Sequence, residues 1–345
     1  MEEIIQTVFK DFYPDKPILG HTTIHSGLIN STYKIETADA DFILQKMNQV
    51  VFPNIKALLN NKIKTTRYLN ANGFPTLTFI ANKEGRFYSK HGEAIWQLST
   101  YIPSVVLDRI DSNAVASQVG AYLAKFHTAL LNFPVSDLEY TIPDFHNTIK
   151  RFHDFEQSIK KASAERVLKA EESIEFLKSN FESIEDVAIA INTGKIPMRV
   201  VHNDTKIMNM LFDENGNILC IIDFDTVMPG SIFHDIGDAL RTGTNTSTEE
   251  EKDLSKVRFD TEIYEAFMKA YIDEATSFMS EEEARNIHLS LPLILFEQAC
   301  RFLGDYLNND SYYNTTYEDQ NLIRAKTQIK LMDSVQSYLR IKINT

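Results

Sequence analysis

Val200-Val201-His202-Asn203-Asp204-Thr205-Lys206-Ile207-Met208-Asn209 runs on through Met210-Leu211-Phe212-Asp213, Glu214-Asn215-Gly216-Asn217 and Ile218-Leu219-Cys220-Ile221-Ile222 to Asp223-Phe224-Asp225. Phosphoryl transfer from ATP needs an acidic side chain beside the acceptor hydroxyl, with an amide oxygen and a carboxylate on Mg²⁺. The H-x-D-x-x-x-x-N spacing puts Asp204 and Asn209 on one loop. The two apolar runs after it read as short strands, and Asn215-Gly216 marks a tight hairpin turn between them. Such a hairpin brings Asp223 back beside Asn209, so both oxygens face one cation. Calcium is a poor fit to the acidic turn, because Ile218 stands where the calcium loop needs Gly and Phe224 where it needs Glu.

Working outward, 345 residues with 43% apolar content suffice for about two lobes with a buried core. The net charge of −13 opposes nucleic acid or an anionic membrane surface as partner, so a small-molecule substrate is expected. Cys220 and Cys300 lack the spacing of a zinc site or a disulfide framework and read as reduced core residues. The start, Met1 to Phe9, is acidic and amphipathic, unlike a signal peptide, and no run reaches membrane-spanning length. A cytoplasmic, monomeric protein is the expectation.

The region from Gly20 to Tyr101 reads as strands with one helix. Ser31–Glu36 and Phe42–Lys46 alternate, Asn54–Asn70 has helical periodicity through Ile55, Leu58, Leu59 and Ile63, and Thr76–Ile80, Arg86–Tyr88 and Ala94–Leu98 read as further strands. After Pro103 the chain is helical: Val115–Leu131, segments within Phe152–Ile191, Ile263–Tyr271, Ile287–Tyr306 and Leu322–Leu339. The fold expected is α+β and bilobal, protein-kinase-like: residues 1–101 form a small antiparallel-sheet lobe with one main helix, and 102–345 a mainly helical lobe.

The catalytic loop, Ile222-Asp223-Phe224-Asp225 and Phe126-His127 resemble the aminoglycoside phosphotransferase and choline kinase superfamily of small-molecule kinases. Within it, His202-Asn203-Asp204-Thr205-Lys206, Asp225-Thr226-Val227-Met228-Pro229-Gly230-Ser231, Gly237-Asp238, Phe42–Gln45, Glu251–Val257 and Arg301–Leu307 are similar to the N-acetylhexosamine 1-kinases. That resemblance implies transfer of the ATP γ-phosphate to the anomeric hydroxyl of GlcNAc or GalNAc, with Mg²⁺ as cofactor. Two alternatives are carried beside it. The same fold could serve another small alcohol (a hexose, an aminoglycoside or a choline-like acceptor), or the chain could be a catalytically silent nucleotide-binding module.

Asp204 is expected to take or orient the acceptor proton, and Asn209 and Asp223 to hold Mg²⁺. Asp225 is open between a second metal, the sugar and a basic partner. His202 reads as loop support, and Asp235 and Asp238 as braces for the loop's amides. Gly27, Asn30, Ser31 and Thr32 form the expected loop over the phosphates, Gly27 permitting close backbone approach. Gln45 stands where kinases of this shape carry a strand lysine, Lys46 points to the other face, and the Asn54–Asn70 helix has no acidic residue to pair with a lysine. Thr100 and Ile102 in the connector are expected to offer backbone groups to adenine. Arg301 is a candidate for binding sugar hydroxyls, against the alternative of a solvated Glu297-Arg301-Asp305 ladder worth about 0.3–0.5 kcal/mol per pair. Tyr312 resembles the sugar-contacting tyrosine of the hexosamine kinases.

Overall fold

The computed structural model describes residues 2–24 and 29–343. In chain order the elements are α1 (Glu2–Phe12), β1 (Gly20–Ile24), β2 (Ser31–Glu36), β3 (Asp41–Lys46), α2 (Ile55–Ala71), β4 (Ser89–His91), β5 (Ala94–Thr100), β6 (Val105–Val106), α3 (Asn113–Ala129), α4 (Thr148–Lys161), α5 (Ala164–Lys169), α6 (Glu171–Asn180) and α7 (Glu182–Asn192). There follow β7 (Arg199–Val201), β8 (Met210–Phe212), β9 (Ile218–Ile221), β10 (Met228–Gly230), α8 (Ile232–Gly243), α9 (Thr261–Ala275), α10 (Glu281–Asn286), α11 (Ser290–Leu307) and α12 (Gln320–Ile343). Among the described residues, no helix is long and apolar enough to cross a membrane. The mixed architecture is α+β, with an antiparallel-sheet N-terminal region and a helical C-terminal part.

Two compact units result, and neither is a single stretch of chain. The first takes in Met1–Val106, Asn132–Ile142 and Met210–Met228; the second takes in Leu107–Leu131, Pro143–Asn209 and Pro229–Thr345. The hairpin of β8 and β9 therefore groups with the strand-rich unit, across the contiguous division at residue 101 that the sequence suggests.

In the first unit a five-stranded antiparallel sheet runs in the order β1-β2-β3-β5-β4. Alternation decides its faces: Phe42 and Leu44 of β3 join Tyr33, Ile35, Trp96 and Leu98 against Ile5, Val8, Phe9 and Phe12 of α1. Helix α2 starts at Asn54, whose side chain accepts from the Ala57 amide, and buries Ile55, Leu58 and Leu59 against Met47, Phe52 and Ile95. Two expected strands are absent. Residues 76–80 lie along β5, with the Ile80 amide donating to Leu98 and that of Thr100 to Thr78, but only Phe79 and Ser99 form a bridge. The Thr76 amide is drawn instead to the Asn70 side chain. Residues 86–88 are held in a turn around Asn82, which accepts from the Glu84 and Arg86 amides and donates to the Tyr88 carbonyl, so pairing begins only at Ser89. These side-chain bonds to backbone outcompete the ladder that alternation alone would favour.

The same unit contains the sheet β6-β8-β9. Met210 pairs with Ile221 and Leu211 with Cys220, and Gly216 at φ 80° closes the turn. Asp213 caps that turn by accepting from the Asn215 and Asn217 amides at 2.8 Å each.

The second unit is a helical assembly built around α11, most of whose residues are buried. Helices α3 and α9 meet at Gly120, and α8 and α11 meet at Gly237, where a Cβ would lie 2.3 Å from the Ser290 carbonyl oxygen and 2.6 Å from Ile294 Cγ1. Backbone cannot yield as a side chain can. Gly237→Ala should therefore destabilise the protein by about 1–3 kcal/mol, seen as a lower urea midpoint at unchanged m-value; a midpoint equal to wild type would show that the two helices are not held at this spacing.

Candidate active site

The second unit builds the loop that carries Asp204 on a buried carboxylate. Asp235, at the start of α8, accepts from the His202 amide at 2.9 Å and from the Asn203 amide at 2.6 Å. Asn203 is thereby held at φ 64°, a left-handed conformation that Asn tolerates better than most residues. His127 Nε2 donates to the same carboxylate at 2.9 Å, and the Tyr271 hydroxyl lies 2.8 Å from His127 Nδ1. Burial pushes the Asp235 pKa up, but His127 and the amide of His202 outweigh it and hold the group below the usual carboxylate range. Asp235 is thus the brace the sequence suggests. Asp238 is not: it turns to Arg241, accepting from Nε at 2.9 Å and from Nη2 at 2.8 Å. His202 is buried, in keeping with a supporting role.

Asp204 follows this braced turn, partly exposed, with Lys206 Nζ 2.8 Å from its Oδ2. Burial raises its pKa, yet the charge and hydrogen bond of Lys206, with His202 and Asn209 adding to them, bring it below 3.8. It is a carboxylate at neutral pH. Asn209 closes the loop from a short 3₁₀ turn, its Nδ2 donating to the Asp204 carbonyl at 2.8 Å. With the amide nitrogen so engaged, the side-chain orientation is set and Oδ1 is the atom available to a hard cation.

Arg301 does not join a ladder with its neighbours on α11. Glu297 is buried, accepting from Thr148 Oγ1 at 2.9 Å and lying 2.7 Å from His146 Nδ1, while His146 Nε2 donates to the Asn203 carbonyl at 3.3 Å. Asp305 accepts from the Tyr312 and Tyr313 amides at 2.8 and 2.9 Å and fixes the turn after α11. Among the described residues no carboxylate forms an ion pair with Arg301; its guanidinium lies 5.2 Å from the Phe145 ring centroid and 5.9 Å from that of Tyr313. Tyr312 is 65% exposed, its ring edge-on to Tyr313. His146, to which the sequence assigns nothing, thus links the helix of Arg301 to the loop of Asp204. Its partners are far away in the chain, so no local signal marks it.

In the first unit, the chain enters the hairpin after Asn209 and leaves it at Asp223, two residues beyond the Met210–Ile221 pair. Asp223 adopts φ 66°, ψ 58°, and a 3₁₀ turn over Phe224–Thr226 follows. Asp225 is buried; it ion-pairs with Lys62 of α2, a basic partner of the kind expected among its possibilities, and accepts from Asn30 Nδ2 at 2.6 Å. Lys62 occupies the apolar face of α2, four residues after Leu58, a signal the sequence did carry. Asn30 is anchored by the Asn48 amide, which donates to its Oδ1 at 2.9 Å. Gly27 lies outside the described residues. Ser31 is exposed and Thr32 buried, and Gln45 Nε2 donates to Thr32 Oγ1 at 3.2 Å while Lys46 is exposed. Strand β3 pairs regularly, so Lys46 stays on the face opposite Gln45. Gln97, opposite Gln45 in the sheet, is 2% exposed, and neither polar atom of its amide has a hydrogen-bond partner among the described residues. A buried amide of this kind calls for a water or a ligand. The Thr100 amide donates to the Thr78 carbonyl, and the Ile102 carbonyl accepts from Ser104 Oγ.

Among the described residues no group of three His, Cys, Asp or Glu side chains could hold a metal on its own. Of the residues expected to serve Mg²⁺, Asn209 in the second unit offers an amide oxygen and Asp223 in the first a carboxylate, each a hard donor of the kind that suits that ion.

The chain belongs to the phosphotransferase enzyme family (APH), which matches residues 20–279. Its fold is that of known small-molecule kinases. It is similar to an aminoglycoside phosphotransferase from Alicyclobacillus acidocaldarius subsp. acidocaldarius, with a TM-score of 0.64 at 14% identity, covering 97% of this chain and 96% of that one. It is similar also to the spectinomycin phosphotransferase APH(9)-Ia, solved with ADP and spectinomycin (TM-score 0.63, 12% identity, 97% and 98% covered). A choline kinase from Cryptosporidium parvum Iowa II matches with a TM-score of 0.60 at 16% identity, covering 99% and 96%.

Two buried groups of the second unit give a pH signature. Burial pushes the imidazole of His234 down to about 3 from its ordinary 6.5. Burial raises Glu297, but His146 and Arg301 more than reverse this and bring it to about 2 from 4.5. In both cases the unfolded chain binds protons that the folded one does not, His234 between about 6.5 and 3 and Glu297 between about 4.5 and 2. Stability therefore falls as pH falls through those windows. Urea midpoints should drop from pH 7 downward, and His234→Asn, which keeps an acceptor for the Ser231 amide, should flatten the upper part of that drop; an identical slope in the variant would refute the assignment to His234.

Proposed function

We propose that the chain is an ATP- and Mg²⁺-dependent sugar 1-kinase that phosphorylates the anomeric hydroxyl of an N-acetylhexosamine such as GlcNAc or GalNAc. Membership of the phosphotransferase family supports the reaction class. The acceptor rests on one observation: Arg301, a cation with no carboxylate ion pair among the described residues, set between the rings of Phe145 and Tyr313 beside exposed Tyr312. Aromatic faces with a few fixed donors suit a sugar, whereas a polycationic aminoglycoside would call for acids at that place.

In this reading the strand-rich unit takes the nucleotide and the helical unit takes the sugar. Gly27, Asn30, Ser31, Thr32 and Gln45 serve the phosphates, joined by Gln97; Thr100 and Ile102 line the adenine side. Asn209 and Asp223 would hold Mg²⁺, whose charge would offset that of the phosphates. Asp204 orients the sugar O1 hydroxyl. As O1 bonds to the γ-phosphorus, the bond from that phosphorus to the bridging oxygen breaks, ADP leaves, and the O1 proton passes to the Asp204 carboxylate. A carboxylate of depressed pKa is a weak base, which suits a loose transition state in which the proton moves late. An anomeric hydroxyl is more acidic than an ordinary alcohol, so the demand on that base is small. Lys206 keeps Asp204 charged until then.

Asp204→Asn should lower kcat by about 10²–10⁴-fold with ADP affinity within about twofold of wild type; near-normal turnover would contradict the role. The acceptor is decided by coupled ADP-release assays with GlcNAc, GalNAc, ManNAc, glucose, galactose, choline and kanamycin. The N-acetylhexosamines should give the highest kcat/KM, and Arg301→Ala should raise their KM at least about tenfold, a loss of about 1.4 kcal/mol of binding. A preference for choline or kanamycin would replace the sugar reading while leaving the kinase reading in place.

A further inference from the structure

We infer that the first unit carries a binding site for an α-amino acid with an apolar side chain, in a cleft between the start of α1 and the sheet. Trp96 and Lys46 take its carboxylate, and Glu3 takes its ammonium. The cleft opens on the sheet face that buries α1, opposite the face of Gln45, and the inference does not rest on the kinase reading.

The cleft has a volume of about 430 Å³, and its walls include Glu3, Ile4 and Thr7 of α1, Lys46 of β3, and Ala94 and Trp96 of β5. Strand register brings the sheet residues together. Lys46 stands directly opposite Trp96, and Ala94 lies two residues before Trp96, so all three share one face. On α1, Glu3 and Thr7 are four residues apart and therefore neighbours on the helix surface.

Trp96 is 2% exposed, and its indole N–H has no hydrogen-bond partner among the described residues. A buried indole N–H ordinarily has one, because leaving it unpaired forfeits the bond it makes with water in the unfolded chain. Among the described residues neither Lys46 nor Glu3 forms an ion pair. Thr7 Oγ1 donates to the Glu3 carbonyl at 2.7 Å, which leaves its oxygen as an acceptor. His91, also on the wall, is engaged with Asp11, its Nε2 2.7 Å from Oδ2. The two walls thus differ in character: the sheet side offers donors from Lys46 and Trp96, and the helix side offers acceptors from Glu3 and Thr7.

An α-amino acid matches both walls at once. Its carboxylate has two oxygens, one for the indole N–H and one for the Lys46 ammonium, and its own ammonium meets Glu3 and Thr7. An apolar side chain then lies against Ala94 and Ile4, the latter 47% exposed without it. A plain carboxylic acid would bring an anion to Glu3 with no cation between them, and a plain amine would leave the indole N–H unpaired.

Trp96 is the chain's single tryptophan, so one indole N–H resonance in a proton–nitrogen correlation spectrum of the full chain reports the bond directly. Titration with L-leucine should move that resonance to lower field, saturably, with a Kd below about 1 mM. Isocaproate, which lacks the ammonium, and isoamylamine, which lacks the carboxylate, should bind at least about fivefold more weakly. Lys46→Met and Glu3→Gln should each weaken leucine by at least about fivefold, while Glu2→Gln, next in the chain but outside the cleft, should leave it within about twofold. All three positions are exposed, so these variants test the site and not the core. An indole resonance unmoved by leucine up to about 10 mM would show that water alone serves the N–H and would overturn the inference. So would isocaproate or isoamylamine binding as well as leucine, or Lys46→Met and Glu3→Gln binding as Glu2→Gln does. Turnover is not measured, so these outcomes are independent of which alcohol is phosphorylated.

Discussion

The second unit depends on one buried carboxylate. Asp235 sits at the start of α8 and takes two consecutive amides of the loop that carries Asp204 along with the imidazole of His127. A turn that places Asn203 in the left-handed region would otherwise leave buried amides without acceptors, which costs on the order of 1–3 kcal/mol each. With Asp235 in place the loop has one conformation, and Asp204 leaves it in a defined direction. The position of α8 is in turn set by close approach at Gly237, so the geometry of the loop is transmitted from helix packing.

The first unit solves a different problem with a similar device. Its sheet buries α1 on one face through Phe42, Leu44 and Trp96, which leaves polar Gln45, Thr32 and Gln97 on the other. A buried lysine on α2 and a buried aspartate after the hairpin then neutralise one another. Such a pair adds little net stability, because desolvation offsets most of its attraction, but it penalises any arrangement in which the two are apart. Its role is specificity of position.

Much of this was legible because it is local. The H-x-D-x-x-x-x-N spacing, the Asn-Gly turn and the alternation of β2 and β3 involve residues a few positions apart, and the structure has the hairpin at Met210–Phe212 and Ile218–Ile221 and the helices of the C-terminal part close to their expected bounds. The strands read at 76–80 and 86–88 failed for an equally local reason that alternation does not register: the side chains of Asn70 and Asn82 take the amides that a ladder would use.

By itself, the sequence determined the order of secondary elements, the fold class and the pairing of an acid with an amide on one loop, because periodicity, turn chemistry and short spacing are written in neighbouring residues. Only the tertiary structure decided the partners of the charged groups. Asp225 meets Lys62 across 163 residues and Glu297 meets His146 across 151, and the same structure shows Arg301 resting on aromatic rings with no carboxylate ion pair among the described residues. Which charges become neighbours follows from how helices and strands pack, and packing is a property of the whole chain.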